Sequence, residues 1–272
     1  MSDEYLLLPR LEIQNANAQS AWWLINAAPV VAANLFAHNL GRHCRRFPRA
    51  VGIFHHHGQL LGERFYRKFH PQQRRGAVFI DGADYASTDK HALSLQPTVS
   101  CHLTWSLLLA FPADNGLPSL TKVHDFLHGA RLAGGQIIRH EAAEALSDVE
   151  AVKRRLRGGF WLVERRDLLE NGDPLDNLIA ACDHEKQKAD ETEPGQLPTS
   201  WLVPTTLGYA TITDFAQRGG VREAYPHAYA EPLVGLAQYV STRHWGERPL
   251  PLWRGHWPQD DVFLVTQQEL NP

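Results

Sequence analysis

Cysteine is scarce: Cys44, Cys101 and Cys182 are the only three in 272 residues, far apart and odd in number. No CxxC pair occurs, so neither a disulfide framework nor a structural zinc site is expected. No apolar run is long enough to cross a bilayer. The opening MSDEYLLLP is too short and too acidic for a signal peptide, so the expectation is a cytoplasmic protein with no membrane contact. Catalytic signatures are missing as well: there is no HExxH, no carboxylate-rich DxD, no GxSxG, no P-loop and no GxGxxG. Fifteen histidines invite a metal, yet in an extended His55–His57 triplet only His55 and His57 share a face, and ligands must converge. No metal and no cofactor is expected. Net positive charge is also absent: the formal total is −3, so any nucleic-acid function must rest on local patches.

Such a patch is present. Between Arg42 and Arg75 stand nine cations (Arg42, Arg45, Arg46, Arg49, Arg64, Arg67, Lys68, Arg74, Arg75) against one anion, Glu63. Acidic stretches elsewhere offset it, notably DHEKQKADETE from Asp183, so charge is segregated along the chain. A solvated cationic face is the plainer alternative.

Ahead of the patch, Leu6 to Ala18 reads LLLPRLEIQNANA. From Arg10 the side chains alternate, with Leu11 and Ile13 on one face and Arg10, Glu12 and Gln14 on the other, as a strand requires. Asn15 and Asn17 then suggest a polar turn, whose amides both donate and accept. A helix is expected from Pro29, with Asn26 as a candidate cap, running from Val30 to Phe47. At 100° per residue Val30, Ala33, Phe36, Ala37, Leu40, Cys44 and Phe47 share one side, and Asn34, His38, Arg42, Arg45 and Arg46 share the other. Arginine's planar fork suits phosphate oxygens and stacks on bases.

Further on, short strands are expected at Ala50 to Phe54 and Ala77 to Ile80. They flank a basic insertion at about 55–76, in which Arg64, Arg67 and Lys68 lie among Phe65, Tyr66 and Phe69. Rings between cations can stack on single-stranded bases; an ordinary basic hairpin is the equal alternative. Val99 to Phe111 alternates cleanly: Val99, Cys101, Leu103, Trp105, Leu107, Leu109 and Phe111 point one way and Ser100, His102, Thr104 and Ser106 the other. Helices are expected at Ser119 to Leu132, Glu141 to Leu156 and around LVGLAQYV, and strands at GGQII, FWLV, WLVPTTLGYATI and DDVFLVT. Gly158 and Gly159 offer left-handed termination after the cationic Arg154, Arg155 and Arg157. The stretch from about 183 to 200, acidic and then Pro/Gly-marked, is expected to be a mobile loop. Composition permits an α+β fold in one domain spanning 1–272.

The ordered blocks LLLPRLEIQNANA, LFAHNL, VSCHLTWSLLLAF, RLAGGQII, RRLRGGFWLVERRDLL, WLVPTTLGYATI, EAYPHAYAEPLVGLAQYVS and LWRGHWPQDDVFLVTQQ together resemble the Csy-two branch of the Cas-five family. Members cap the 5′ handle of CRISPR guide RNA in type I-F Cascade (the Csy surveillance complex). The resemblance implies a ferredoxin-like (RRM-like) antiparallel sheet core. It also implies a non-catalytic, RNA-binding subunit whose partners are guide RNA, the large subunit, a backbone (Cas-seven-type) subunit and, through the assembled complex, target double-stranded DNA. SAWWLINAAPVV departs from the Gly/Pro-marked segment expected there.

In that setting Gln14, Asn15 and Asn17 are candidates for base-edge or sugar contacts, and Arg10, Arg42, Arg45 and Arg46 for phosphates. Asn34, His38, Arg64, Arg67 and Lys68 are further candidates, and Arg154, Arg155 and Arg157 a secondary patch. The alternative is a metal-independent endoribonuclease of repeat RNA, with His38, His55 or Tyr66 as acid or base.

Overall fold

The computed structural model describes residues 3–66, 68–72, 99–183, 197, 199–218 and 225–267. The expected Ala77 to Ile80 strand, Arg67, Arg74 and Arg75, and nearly all of the acidic stretch from Asp183 to Ser200 lie outside the described residues.

The chain opens on a long strand, β1 (Asp3–Asn17). Leu6, Leu8, Leu11, Ile13, Ala16 and Ala18 all join one core, although two of those steps span three residues and would flip the face in a regular strand. Two register shifts, at Leu8/Leu11 and Ile13/Ala16, restore it. Each holds a left-handed residue, Arg10 (φ 47°) and Asn15 (φ 58°), as bulges allow. Asn15 therefore bulges the strand rather than ending it, whereas Asn17 is its last residue, as expected from its type.

A small hairpin, β2 (Gln19–Ala21) and β3 (Leu24–Ile25), leads to α1 (Val30–Cys44). Asn26 is not the helix cap. It is buried, accepting from Ala28 N–H and donating to Ser20 Oγ and the Pro204 carbonyl. The helix stops before Phe47 because Arg45 turns left-handed (φ 55°), leaving Phe47 half-exposed over Gly41. Val31 is buried and Leu35 exposed.

The chain then forms β4 (Ala50–Leu60), a hairpin of β5 (Gly62–Phe65) and β6 (Lys68–Pro71), β7 (Ser100–Pro112), α2 (Leu120–Gly129), β8 (Arg131–Leu132) and β9 (Gly135–Arg139). Strands β9, β1, β7 and β4 lie side by side in that order, all antiparallel. Helices α1 and α2 cover one face, where Phe36 meets Phe126 at 5.3 Å.

The expected helix from Glu141 is shorter. Glu144–Leu146 forms β10 against Tyr5–Leu7 of β1, and α3 (Val149–Arg155) starts only where the Asp148 carboxylate accepts the Ala151 N–H. There follow β11 (Phe160–Glu164), α4 (Pro174–Cys182), β12 (Leu202–Thr211), β13 (Ala230–Ser241), α5 (Thr242–Trp245), β14 (Leu252–Gln259) and β15 (Val262–Thr266). LVGLAQYV belongs to β13, not to a helix: it pairs with β12 and β11 on both sides, and Pro232, Val234 and Gly235 favour that over helix.

The β4 edge is shared. Val51 and Gly52 pair with β14, while Phe54 and His55 pair with β11. These pairings close β4, β14, β15, β12, β13 and β11 into a ring. Trp253 is fully buried there, its indole donating to the Leu162 carbonyl (3.0 Å). The result is a mixed α/β fold, mostly antiparallel sheet with few helices.

Candidate nucleic-acid interface

The sheet face opposite α1 is apolar at one end and polar at the other. Tyr5, Leu7, Phe54, Leu108 and Ala110 pack under Val152 and Leu156 of α3. Beyond them come Arg10, Glu12 and Gln14 on β1 and His102, Thr104 and Ser106 on β7. Alternation from Phe54 sets His56 on this face too, its ring 5.1 Å from that of Phe54.

Four segments converge there. The backbone N–H of Arg10 donates to Ser106 Oγ (3.0 Å), which lies 2.7 Å from His56 Nε2. The Arg10 guanidinium is 3.5 Å from Glu141, which also binds Arg155 at 2.8 Å, and Arg155 in turn binds Glu144 at 2.9 Å. Burial first, then the Arg10 charge, holds the His56 pKa below the usual histidine value, while the Gly158 backbone and Glu141 act the other way. The turn carrying Gly158 and Gly159 comes in because Gly159 has no side chain: a Cβ there would sit 2.5 Å from Phe54 Cε1 and 2.7 Å from the His55 carbonyl. Close approach, rather than a left-handed helix stop, is what this position uses glycine for; Leu156 is the cap.

The Arg10 and Arg155 guanidinium groups hold the Glu141 carboxylate between them, beside a neutral imidazole, so a phosphate on this pair takes the place of that carboxylate. Among the described residues Arg154 and Arg157 are exposed and form no ion pair, whereas Arg10 and Arg155 are positioned by one shared glutamate, Glu141, and Arg155 by Glu144 as well. Fixed guanidinium groups bind phosphate with less ordering cost than free ones.

Gln14 is exposed on the same face. Asn15 N–H donates to His102 Nδ1 (3.3 Å). Asn17 is engaged in its own turn, its amide bonded both ways to the Gln19 backbone (3.2 and 3.0 Å).

Arg42, Arg45 and Arg46 do not join this face. Helix α1 packs on Leu11, Ile13 and Trp105, and Glu12 and Ser106 alternate with those residues to the opposite side. Five residues past the end of α1, Arg49 pairs with Asp3 at the start of β1 (2.8 Å); at about 3.3 Å per residue, Asn15 is roughly 40 Å along the strand from there. The single groove expected from the early cations is therefore divided in three. One set faces the open sheet, a second lies on α1 (Asn34, His38, Arg42) and just past its end (Arg45, Arg46), and a third (Arg64, Lys68, with Phe65, Tyr66 and Phe69) sits on the β5–β6 hairpin. Phe65 and Tyr66 rings meet at 4.6 Å at its exposed tip.

The residues named for a nuclease do not converge either. His55 is half-buried and accepts the Trp105 indole N–H (3.0 Å). Burial, then His56 and His57, lowers its pKa to about 4. His38 lies on α1 and Tyr66 on the hairpin tip. The nearby His56–Ser106 pair escaped the sequence reading, since alternation gives the face of each residue but not the pairing of β4 with β7 that brings them together. Among the described residues no carboxylate hydrogen-bonds His56, and no group of three His, Cys, Asp or Glu is placed to hold a metal ion. No helix among them is long and apolar enough to cross a membrane.

A match that runs almost end to end, residues 6–265, sets the chain among the CRISPR-associated proteins. Within them it belongs to the Csy2 family (Cas_Csy2). A curated relative, the CRISPR-associated protein Csy2 of Pseudomonas aeruginosa (strain UCBPP-PA14), is 29% identical over 301 residues, covering 92% of this chain and 91% of the relative. The likeness drawn from the ordered sequence blocks is borne out.

Proposed function

We propose that this chain is the non-catalytic RNA-binding subunit that caps the 5′ handle of guide RNA in a type I-F Cascade. It pairs with the large subunit, abuts a backbone subunit, and meets target double-stranded DNA only through the assembled complex. The reading carries with it one cytoplasmic α+β domain over 1–272. The side-by-side order β9, β1, β7, β4, with both helices on one face, supports a ferredoxin-like (RRM-like) core.

The observation that carries the reading is the convergence of Arg10, His56, Ser106, Arg155 and the Gly158 turn on an open polar sheet face, in a chain of this family. Unpaired RNA is read on such a surface by splayed bases and backbone contacts, since the major groove of paired A-form RNA is too narrow. Arg10, Arg154, Arg155 and Arg157 take phosphates, and Gln14 with the Asn15 bulge takes base edges or sugars. The hairpin cations Arg64 and Lys68 extend the same path along β4.

Titrating a handle-bearing RNA against salt is expected to give a log–log slope of roughly −0.7 per neutralised phosphate. Replacing Arg154 and Arg157 together by Ala is expected to flatten it by about 1.4. A slope that the double replacement leaves unchanged contradicts the phosphate role, and metal-independent cleavage of repeat RNA contradicts the non-catalytic one.

A further inference from the structure

On the far side of α1 lies a cleft of about 540 Å³, walled by β12, β14 and β15. Its size and its lining, mostly apolar with the rings of Tyr209, Phe215, Trp257 and Phe263 and a few polar groups, are those of a small-ligand pocket. Trp257 is 59% exposed and Tyr209 39%, and the Trp257 and Phe263 rings stand 5.3 Å apart, tilted by 51°. Polar groups come from Asn34 and His38 on α1 and from Asp261. The floor is shaped by an absent side chain. A Cβ on Gly255 would sit 2.6 Å from Asn34 Oδ1 and 3.1 Å from Phe263 Cζ, so bare backbone lets an amide and an aromatic ring meet there.

We propose that this cleft takes an unpaired nucleobase of a single strand, as a second nucleic-acid subsite separate from the sheet face. The rings offer a stacking surface, which every base can use. The Asn34 amide and the Asp261 carboxylate offer the in-plane acceptors and donors that a base edge needs. Charge indicates how the strand continues. Asn34, His38 and Arg42 repeat every four residues on one helix stripe, and Arg45 and Arg46 follow at its end. From Asn34 to Arg42 is about 12 Å at 1.5 Å per residue, so a base in the cleft has its flanking phosphates over cations. Apolar protein segments would fill the rings but leave that stripe unmatched. The inference rests on the reading of the chain as a nucleic-acid binder.

The test uses the full chain with fluorescent single-stranded 12-mers of one mixed sequence, as RNA and as DNA. Trp257→Ala and Gly255→Ala are each expected to weaken binding about tenfold, the effect of losing one stacked base, with thermal unfolding checked for each. Ultraviolet crosslinking of the unmodified protein, which needs no variant, is expected to mark Trp257 or Tyr209. The RNA and DNA arms show which strand the subsite prefers. Unchanged affinity in both variants, or crosslinks confined to the sheet face and hairpin, overturns the cleft. If Arg154→Ala with Arg157→Ala alone abolishes binding, the handle reading stands and the cleft falls; if only the cleft variants lose affinity, the reverse holds. An unmodified protein that binds neither strand overturns both.

Discussion

His55 sits where two strands and two rings meet. It accepts the Trp105 indole hydrogen, and its ring lies 4.6 Å from Tyr239, whose hydroxyl donates to the Ala27 carbonyl. A free histidine titrates near 6.5, but burial brings this one to about 4. Between those values the unfolded chain takes up a proton that the folded chain refuses. Stability is therefore whole above pH 6.5 and is lost as pH falls through the window. His55→Gln keeps an acceptor and removes the titration. Urea unfolding at pH 7 and pH 4 is expected to show the parent losing roughly 3 kcal/mol more than the variant; equal losses would contradict a neutral, half-buried His55. Alternation along the triplet separates His56 from His55, as was legible in the sequence. The bulge between His55 and His57 then brings His57 opposite Thr104, so that His57 joins His56 on the open face, and a bulge of this kind leaves no mark in residue type.

Element boundaries were legible wherever one physical cause dominated. Alternation marked β7, and apolar spacing marked the buried side of α1. Where two causes competed the reading failed. Glu144–Leu146 has helix-favouring residues, yet the free edge of β1 captures it as a strand; LVGLAQYV has helical-looking spacing, yet β12 and β11 need it between them. The hairpin and loop before α1 show the same competition in miniature. Asn26 fits a helix cap by type and position, but its amide ties the Ser20 hydroxyl, the Ala28 N–H and the Pro204 carbonyl together. Thr205 adds a bond from β12 to the Ala28 carbonyl (2.8 Å). Removing the amide leaves buried partners unsatisfied, at about 1–3 kcal/mol for such a group. Asn26→Ala is accordingly expected to lower unfolding stability by roughly 2–3 kcal/mol. A loss below about 0.5 kcal/mol, the size of an ordinary surface change, would mean that α1 does not depend on this tie.

At the scale of the whole molecule, cations that cluster in sequence part company in space. Helix α1 and strand β1 are joined by a dozen residues, but α1 must bury its apolar stripe against one sheet face, which turns Arg42, Arg45 and Arg46 away from Arg10. The partner that Arg10 gains instead comes from far downstream: Glu141, which it shares with Arg155 of α3. No local pattern announces such a pairing. The family likeness did indicate RNA, since it depends on ordered blocks along the whole chain rather than on where their side chains point. The closed ring of six strands likewise depends on β4 being paired by β14 and β11 along one edge, a sharing with no sequence signature.

The central claim is that the leading end of a guide strand lies on the open sheet face. Crosslinking a guide RNA that carries 4-thiouridine in its 5′ handle, followed by peptide mapping, tests it most directly. The account predicts adducts on β1 between Arg10 and Asn15 and on the turn from Arg154 to Gly159. Adducts confined to α1, or absent from this chain, would contradict it.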